Sequence, residues 1–90
     1  MSKILQDLNI GANMRKIRKS KQFTQIDVCA KMAKLGRPML QSTYAQIETG
    51  TRNIFVSDLL AFRLAMDVTF DDIFAELHPI NTFNATNQRF

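Results

Sequence analysis

The stretch QSTYAQIETG, residues 41–50, combines hydrogen-bonding side chains with helical spacing. Tyr44 and Ile47 are three residues apart, so they fall on one side of a helix and are predicted to face inward. The head of the stretch is polar but uncharged, with Gln41, Ser42 and Thr43. Amides and hydroxyls both donate and accept hydrogen bonds, which suits them to the edges of base pairs in the DNA major groove. Such groups select a base sequence, whereas charged groups bind any phosphate.

The charge of the chain is unevenly distributed. Residues 1–52 contain ten Lys and Arg against three Asp and Glu, a net +7, and residues 53–90 contain two against five, a net −3. One basic half suggests a polyanionic partner, although mild basicity also serves plain solubility. The phosphate-contact candidates among the basic residues are Lys19 and Lys21 of the run RKIRKSK, with a solvated helix face as the alternative, and Arg37.

Several functional classes are disfavoured by what the sequence lacks. A 90-residue chain forms one small domain with a thin core. There is no signal-peptide core and no apolar run near the ~20 residues of a membrane helix. The lone Cys29 fits a reducing cytoplasm, and His78 has no second ligand at metal-binding spacing. No nucleophile–base pair or phosphate-binding glycine loop is present. We therefore expect no enzyme, metal, cofactor, membrane segment or small-molecule ligand.

Apolar spacing predicts helices along most of the chain, with no strand-like alternation. The first runs from the cap Asn9 to about Ser20, and its inward residues are Ile10, Met14 and Ile17. Thr24 and Asp27 form the Thr-x-x-Asp start of the second, which ends at Gly36. Its predicted inward residues are Val28, Met32 and Leu35.

Three further helices are predicted. Gly50 ends the third, after which Ile54 is expected to turn inward. Ser57 is predicted to cap the fourth, whose inward residues are Leu59, Phe62 and Met66. Thr69 and Asp72 begin a short fifth helix that contains Ile73, Phe74 and Leu77 and is closed by Pro79. The prediction is an all-α, compact five-helix domain over residues 1–78 and a tail, 79–90, that is loose or part of a dimer contact.

The second and third helices, joined by a short link, have the arrangement of a helix-turn-helix. The chain resembles the Cro and phage-repressor-like helix-turn-helix family of the xenobiotic-response-element type. The resemblance covers residues 9–77 and is carried by IGANMRKIRKSKQFTQIDVCAKM (10–32), STYAQIETGTR (42–52) and LLAFRLAMDVTFDDIF (59–74). It implies a lambda-repressor-like DNA-binding fold. The link before the third helix is longer than in compact phage repressors, and Leu40 stands where a Ser cap is usual.

The resemblance also implies roles for individual residues. Base contacts would come from Gln41, Ser42 and Gln46, and Thr43 would reach either a base or a phosphate. Phosphate contacts would come from Gln25 at the start of the second helix and from Thr51 and Arg52 after the third. Arg18 and Glu48 would form an ion pair that ties the first helix to the third.

The sequence thus predicts a sequence-specific regulator of transcription that binds double-stranded DNA, most simply a cytoplasmic, nucleoid-associated repressor of bacterial or phage origin. Apolar residues outside the predicted core suggest a homodimer on a two-fold operator, built with Leu60, Leu64, Phe83 and Phe90. A tail folded back on its own fifth helix is the alternative for Phe83 and Phe90. The alternative function is a protein-interaction module of the same fold, antitoxin-like or developmental, with weak or no DNA binding.

Overall fold

The computed structural model describes the backbone of residues 3–4 and the full residues 8–78, and the predicted tail lies outside this range. The all-α prediction is confirmed. The elements in chain order are β1 (Lys3–Ile4), α1 (Ile10–Ser20), α2 (Gln25–Lys34), α3 (Gln41–Glu48), β2 (Ile54–Phe55), α4 (Val56–Met66) and α5 (Phe70–Ile73).

The two short strands were not predicted. β1 pairs antiparallel with β2, with Lys3 opposite Phe55 and Ile4 opposite Ile54. A strand of two residues is too short to show the alternation of apolar and polar side chains on which a strand prediction depends. Ile54 is buried, as expected, and the pairing holds the loop between α3 and α4 against the core.

Three of the predicted helix starts are confirmed by their capping bonds. The Asn9 side chain accepts a hydrogen bond from the Ala12 N–H at 3.2 Å. Thr24 and Asp27 bond reciprocally, side chain to backbone, at 2.8 and 3.1 Å. The Thr69–Asp72 pair repeats this at 3.0 and 3.1 Å. These bonds supply partners for N–H groups that a helix start leaves unpaired.

The predicted start of the fourth helix was wrong. α4 begins at Val56, and Ser57 lies inside its first turn. The N–H of Phe55, the residue before the helix, donates to Asp58 Oδ2 at 3.2 Å. The cap therefore comes from an aspartate inside the helix, which also pairs with Arg37. Sequence alone favours Ser57 because serine is a common capping residue.

The fifth helix is shorter than predicted. It ends at Ile73, and the Leu77 N–H bonds to the Phe74 carbonyl in the turn that follows. Glu76 adopts a positive φ of 60°, which a continuing helix does not permit. Ile73 is buried, but Phe74 is 45% exposed and is not a core residue.

The core lies between all five helices and consists mainly of predicted positions. Its buried apolar residues are Ile10, Met14, Val28, Met32, Tyr44, Ile47, Ile54, Leu59, Ala61, Phe62, Met66 and Ile73. Ile17 packs at its edge. The prediction for Leu35 was wrong, since its side chain is 50% exposed. Leu35 follows the last residue of α2, where the chain turns away from the core toward Gly36.

Candidate nucleic-acid interface

The helices α2 and α3 form the helix-turn-helix unit, and α3 presents its polar residues outward. Gln41, Ser42 and Gln46 are exposed, and Thr43 is half-buried at the edge of a groove that also contains Arg52. On the opposite side of α3, the buried residues are Tyr44, Ile47 and Glu48. The structure therefore gathers the four predicted base-contact residues on or beside one accessible face of a helix anchored by its other side.

The start of α3 is settled by backbone geometry. Leu40 occupies the N-cap position with extended backbone and gives no side-chain capping bond, and the helix begins at Gln41. The Leu40 side chain is 74% exposed. Gly50, with φ of +80°, follows the last turn, a conformation that suits glycine. α3 is therefore a short helix of eight residues that depends on its neighbours for its position.

The predicted ion pair between α1 and α3 is present. Arg18 Nε donates to Glu48 Oε2 at 2.7 Å, and Arg18 Nη2 donates to Glu48 Oε1 at 3.1 Å. Both residues are buried, with 9% of Arg18 and 3% of Glu48 exposed. Arg18 Nη1 also donates to the Phe23 carbonyl at 2.9 Å. This two-point geometry fixes α3 against α1 in direction as well as in distance.

The surroundings of Glu48 act on its pKa in opposite directions. Burial raises the pKa of Glu48, but hydrogen bonding from Arg18, with the Tyr44 hydroxyl and the Gln25 amide beside it, holds the pKa below its ordinary value. The Tyr44 hydroxyl is itself buried without a well-formed hydrogen bond among the described residues. Burial, and then the neighbouring Glu48 carboxylate, raises the pKa of Tyr44 and keeps the phenol neutral.

Gln25 connects the buried ion pair to the surface of α3. Its Nε2 donates to Glu48 Oε1 at 3.1 Å, and its Oε1 accepts from Gln41 Nε2 at 2.8 Å. Gln25, which the resemblance assigned to a phosphate contact, thus uses both ends of its amide for contacts within the domain. The sequence reasoning missed this relay, because the three residues are distant along the chain and share no local spacing.

Arg52 and Thr51 lie against the last turn of α3. The Thr51 N–H and hydroxyl both donate to the Gln46 carbonyl, at 2.9 and 3.2 Å. Arg52 Nε donates to Gln46 Oε1 at 2.8 Å. The loop after the helix is therefore attached to Gln46, a predicted base-contact residue, through both its backbone and its side chain.

Arg37, a predicted phosphate-contact residue, is engaged within the domain, and its contact with phosphate stays a prediction. Arg37 Nε lies 2.6 Å from Asp58 Oδ1, and the guanidinium sits over the Phe55 ring at 5.5 Å from its centroid. This pairing joins the link before α3 to the start of α4. The arginine therefore has a structural function that does not require a phosphate. Its partner is 21 positions away, and no local motif connects the two residues.

The two lysines predicted to contact phosphate are exposed. Lys21 lies close enough to α5 for its charge to contribute to the low pKa of Asp72, whose main cause is the hydrogen bond from the Thr69 backbone. The phosphate contacts of Lys19 and Lys21 stay predictions.

Cys29 is half-buried beside the helix-turn-helix core, and burial, followed by the Glu48 charge, raises the pKa of its thiol. Within the described part of the chain, no three potential metal ligands come together. None of its helices, the longest of which have 11 residues, is able to cross a lipid bilayer.

The fold defined by these elements is an all-α domain with a central helix-turn-helix. It is similar to the crystal structure of the restriction-modification controller protein C.AhdI from Aeromonas hydrophila, with a TM-score of 0.64 and 21% sequence identity. The similarity covers 73% of this chain and 92% of that protein. No protein-family model and no curated protein matches the chain. At this identity the comparison establishes the shared fold.

Proposed function

We propose that this protein is a sequence-specific, double-stranded DNA-binding regulator of transcription that acts as a repressor. The observation that carries the proposal is the exposed, uncharged face of α3, which presents Gln41, Ser42 and Gln46, with the amides of Gln41 and Gln46 held by hydrogen bonds to Gln25 and Arg52. Pre-positioned amides suit base edges in a major groove that admits a single helix. A bacterial or phage regulator of this kind would act in the cytoplasm, at the nucleoid.

The charge distribution and the fold also support a DNA-binding regulator. The half of the chain that contains the helix-turn-helix has a net charge of +7, and the remaining part has −3, so DNA would be approached from one side. The similar solved structure belongs to a restriction-modification controller protein, and a controlling role agrees with a regulator. Exposed Lys19, and Thr51 in the loop after α3, are suited to contact phosphate.

The first prediction concerns salt. The protein is expected to bind duplex DNA with a slope of log K against log salt of about −5, if about six phosphates are neutralised per dimer. The measurement is a titration of a duplex selected from a random pool, repeated at several salt concentrations, with an unrelated duplex as the control. A response that stays flat between low and physiological salt would contradict a DNA role and favour the protein-interaction alternative.

A two-fold homodimer is part of the proposal. Leu60 and Leu64 are 45% and 58% exposed, on the side of α4 that faces away from the core. Together with Leu35 they line an open groove of about 340 Å³ between α4 and the end of α2. Phe83 and Phe90 lie outside the described residues, so their part in the contact stays a prediction. A second copy covering this surface would set two α3 helices one DNA turn apart, ~34 Å.

The second prediction tests that dimer by mass in solution. The intact protein is expected to be dimeric at tens of micromolar, and Leu64→Glu is expected to make it monomeric, because a charge would enter the apolar contact. Ile26→Glu is the matched control, since Ile26 is an exposed aliphatic residue, 66% accessible, in the first turn of α2. A monomeric intact protein would remove the dimer from the proposal. A chain ending at His78 that still dimerises would remove only the tail.

A further inference from the structure

Arg52 holds the side-chain amide of Gln46 in one orientation. Its Nε donates to Gln46 Oε1 at 2.8 Å. A guanidinium carries hydrogen-bond donors and no acceptor, so the amide atom that faces it has to be the oxygen. The NH₂ group of Gln46 is therefore turned away from Arg52.

The amide of Gln41 is oriented the opposite way. The Glu48 carboxylate, paired with Arg18, only accepts, so Gln25 faces it with Nε2. Gln25 Oε1 is then the atom left to accept from Gln41 Nε2. Gln41 thus turns its nitrogen toward the domain and keeps its carbonyl oxygen for a ligand. The buried charges of the ion pair set this polarity.

Gln46 is well placed to use its NH₂ group. It is exposed, and it lies one helical turn after the exposed Ser42, on the side of α3 opposite the buried Tyr44 and Ile47. In the major groove, guanine presents two acceptors, N7 and O6, whereas cytosine presents a donor. Bidentate reading of adenine requires the oxygen and the nitrogen of the same amide. Arg52 occupies one side of the Gln46 oxygen and turns the NH₂ group outward, and a group with two donors matches the paired acceptors N7 and O6 of guanine better than the acceptor and donor of adenine.

We propose that Arg52 is a positioning residue that makes Gln46 select guanine at one base pair of each half-site. The inference rests on the proposed DNA-binding function and specifies the base that this function reads. It also changes the role of Arg52, which the sequence assigned to phosphate. A phosphate contact strengthens binding to every duplex alike, whereas a positioning residue changes the ratio between duplexes.

In the experiment, the native protein first selects its preferred duplexes from a random pool. The base pair read by Gln46 is then identified as the one whose preference disappears in Gln46→Ala. Affinity is then measured for four duplexes that differ only at that pair. The native protein is expected to prefer guanine by about tenfold. Gln46→Glu keeps the shape and the pairing with Arg52 but has no donor, so the guanine preference should be lost. Arg52→Met frees the amide to rotate, and the guanine and adenine duplexes should then bind within about twofold of each other.

Lys19→Met is the matched control, because it removes an exposed positive charge at a predicted phosphate contact. This replacement should lower the affinity for all four duplexes by the same factor and leave the guanine preference intact. The melting temperature of each variant is measured to show that the fold is retained. Uniform weakening by Arg52→Met would overturn the inference, as would a guanine preference that survives Gln46→Glu. A native protein that selects no sequence at all would overturn the proposed function itself.

Discussion

Replacing Arg18 with alanine is expected to lower the free energy of unfolding by about 3 kcal/mol, because it leaves a buried carboxylate without its partner. Glu48 is 3% exposed, and Arg18 donates to both of its oxygens. For a domain of this size, 1 kcal/mol corresponds to about 4–8 °C, so the melting temperature should fall by roughly 12–24 °C. Thermal and denaturant unfolding followed by circular dichroism provide the measurement.

Two variants separate the loss of the pair from the loss of a charge. Arg15→Ala removes an exposed arginine three residues earlier on α1 and should change stability by less than about 0.5 kcal/mol. The double replacement Arg18→Met with Glu48→Met removes both charges and should recover much of the lost stability. An Arg18→Ala protein with the native melting temperature would show that the pair contributes nothing.

The same pair gives stability a defined dependence on pH. The pKa of Glu48 is lowered in the folded protein, so its contribution is complete above the ordinary value of 4.5 and is lost as the pH falls through the folded-state pKa. Without Arg18, burial raises the pKa of Glu48, and the variant is stabilised by protonation of Glu48 on acidification. The stability difference between native protein and Arg18→Ala should therefore be largest near neutral pH. It should shrink as the pH falls from the raised pKa of Glu48 in the variant through its lowered pKa in the native protein.

Replacing Gly11 with alanine is expected to destabilise the protein by about 2–3 kcal/mol, although glycine-to-alanine changes inside helices normally stabilise by about 1 kcal/mol. A Cβ atom at Gly11 would lie 1.9 Å from the Ile47 carbonyl oxygen and 2.7 Å from that of Glu48. Both obstacles are backbone atoms, which cannot rotate out of the way. α1 and the end of α3 would have to separate, and the Arg18–Glu48 geometry would be disturbed with them.

Gly36→Ala is the matched control for this change. Gly36 has φ of +85°, but a Cβ there would have no neighbour within 4 Å. Its cost should be only the strain of a left-handed backbone, about 1–2 kcal/mol, with no effect on DNA binding. Gly11→Ala should lower both the melting temperature and the affinity for DNA, because α3 carries the polar face. A Gly11→Ala protein more stable than the native one would contradict the close approach of the two helices.

Much of the fold could be predicted because its signals are local. The capping pairs of α2 and α5 need residues three positions apart, and the inward positions of each helix follow from its periodicity. The helix bounds failed at α4 and α5. At the start of α4, Asp58 rather than Ser57 accepts from the Phe55 N–H and also pairs with Arg37, and α5 ends early, before the turn at Glu76.

For the candidate site, the sequence by itself determined which side chains face outward on α3, because Tyr44 and Ile47 place the opposite side of the helix against the core. The family resemblance supplied the Arg18–Glu48 pair. Only the tertiary structure decided how Gln41 and Gln46 are oriented and that Arg37 belongs to Asp58. An amide offers a donor and an acceptor of nearly equal size, so its direction is fixed by the charge of whatever lies beside it. Those neighbours come from other elements, and it is folding that brings them into contact.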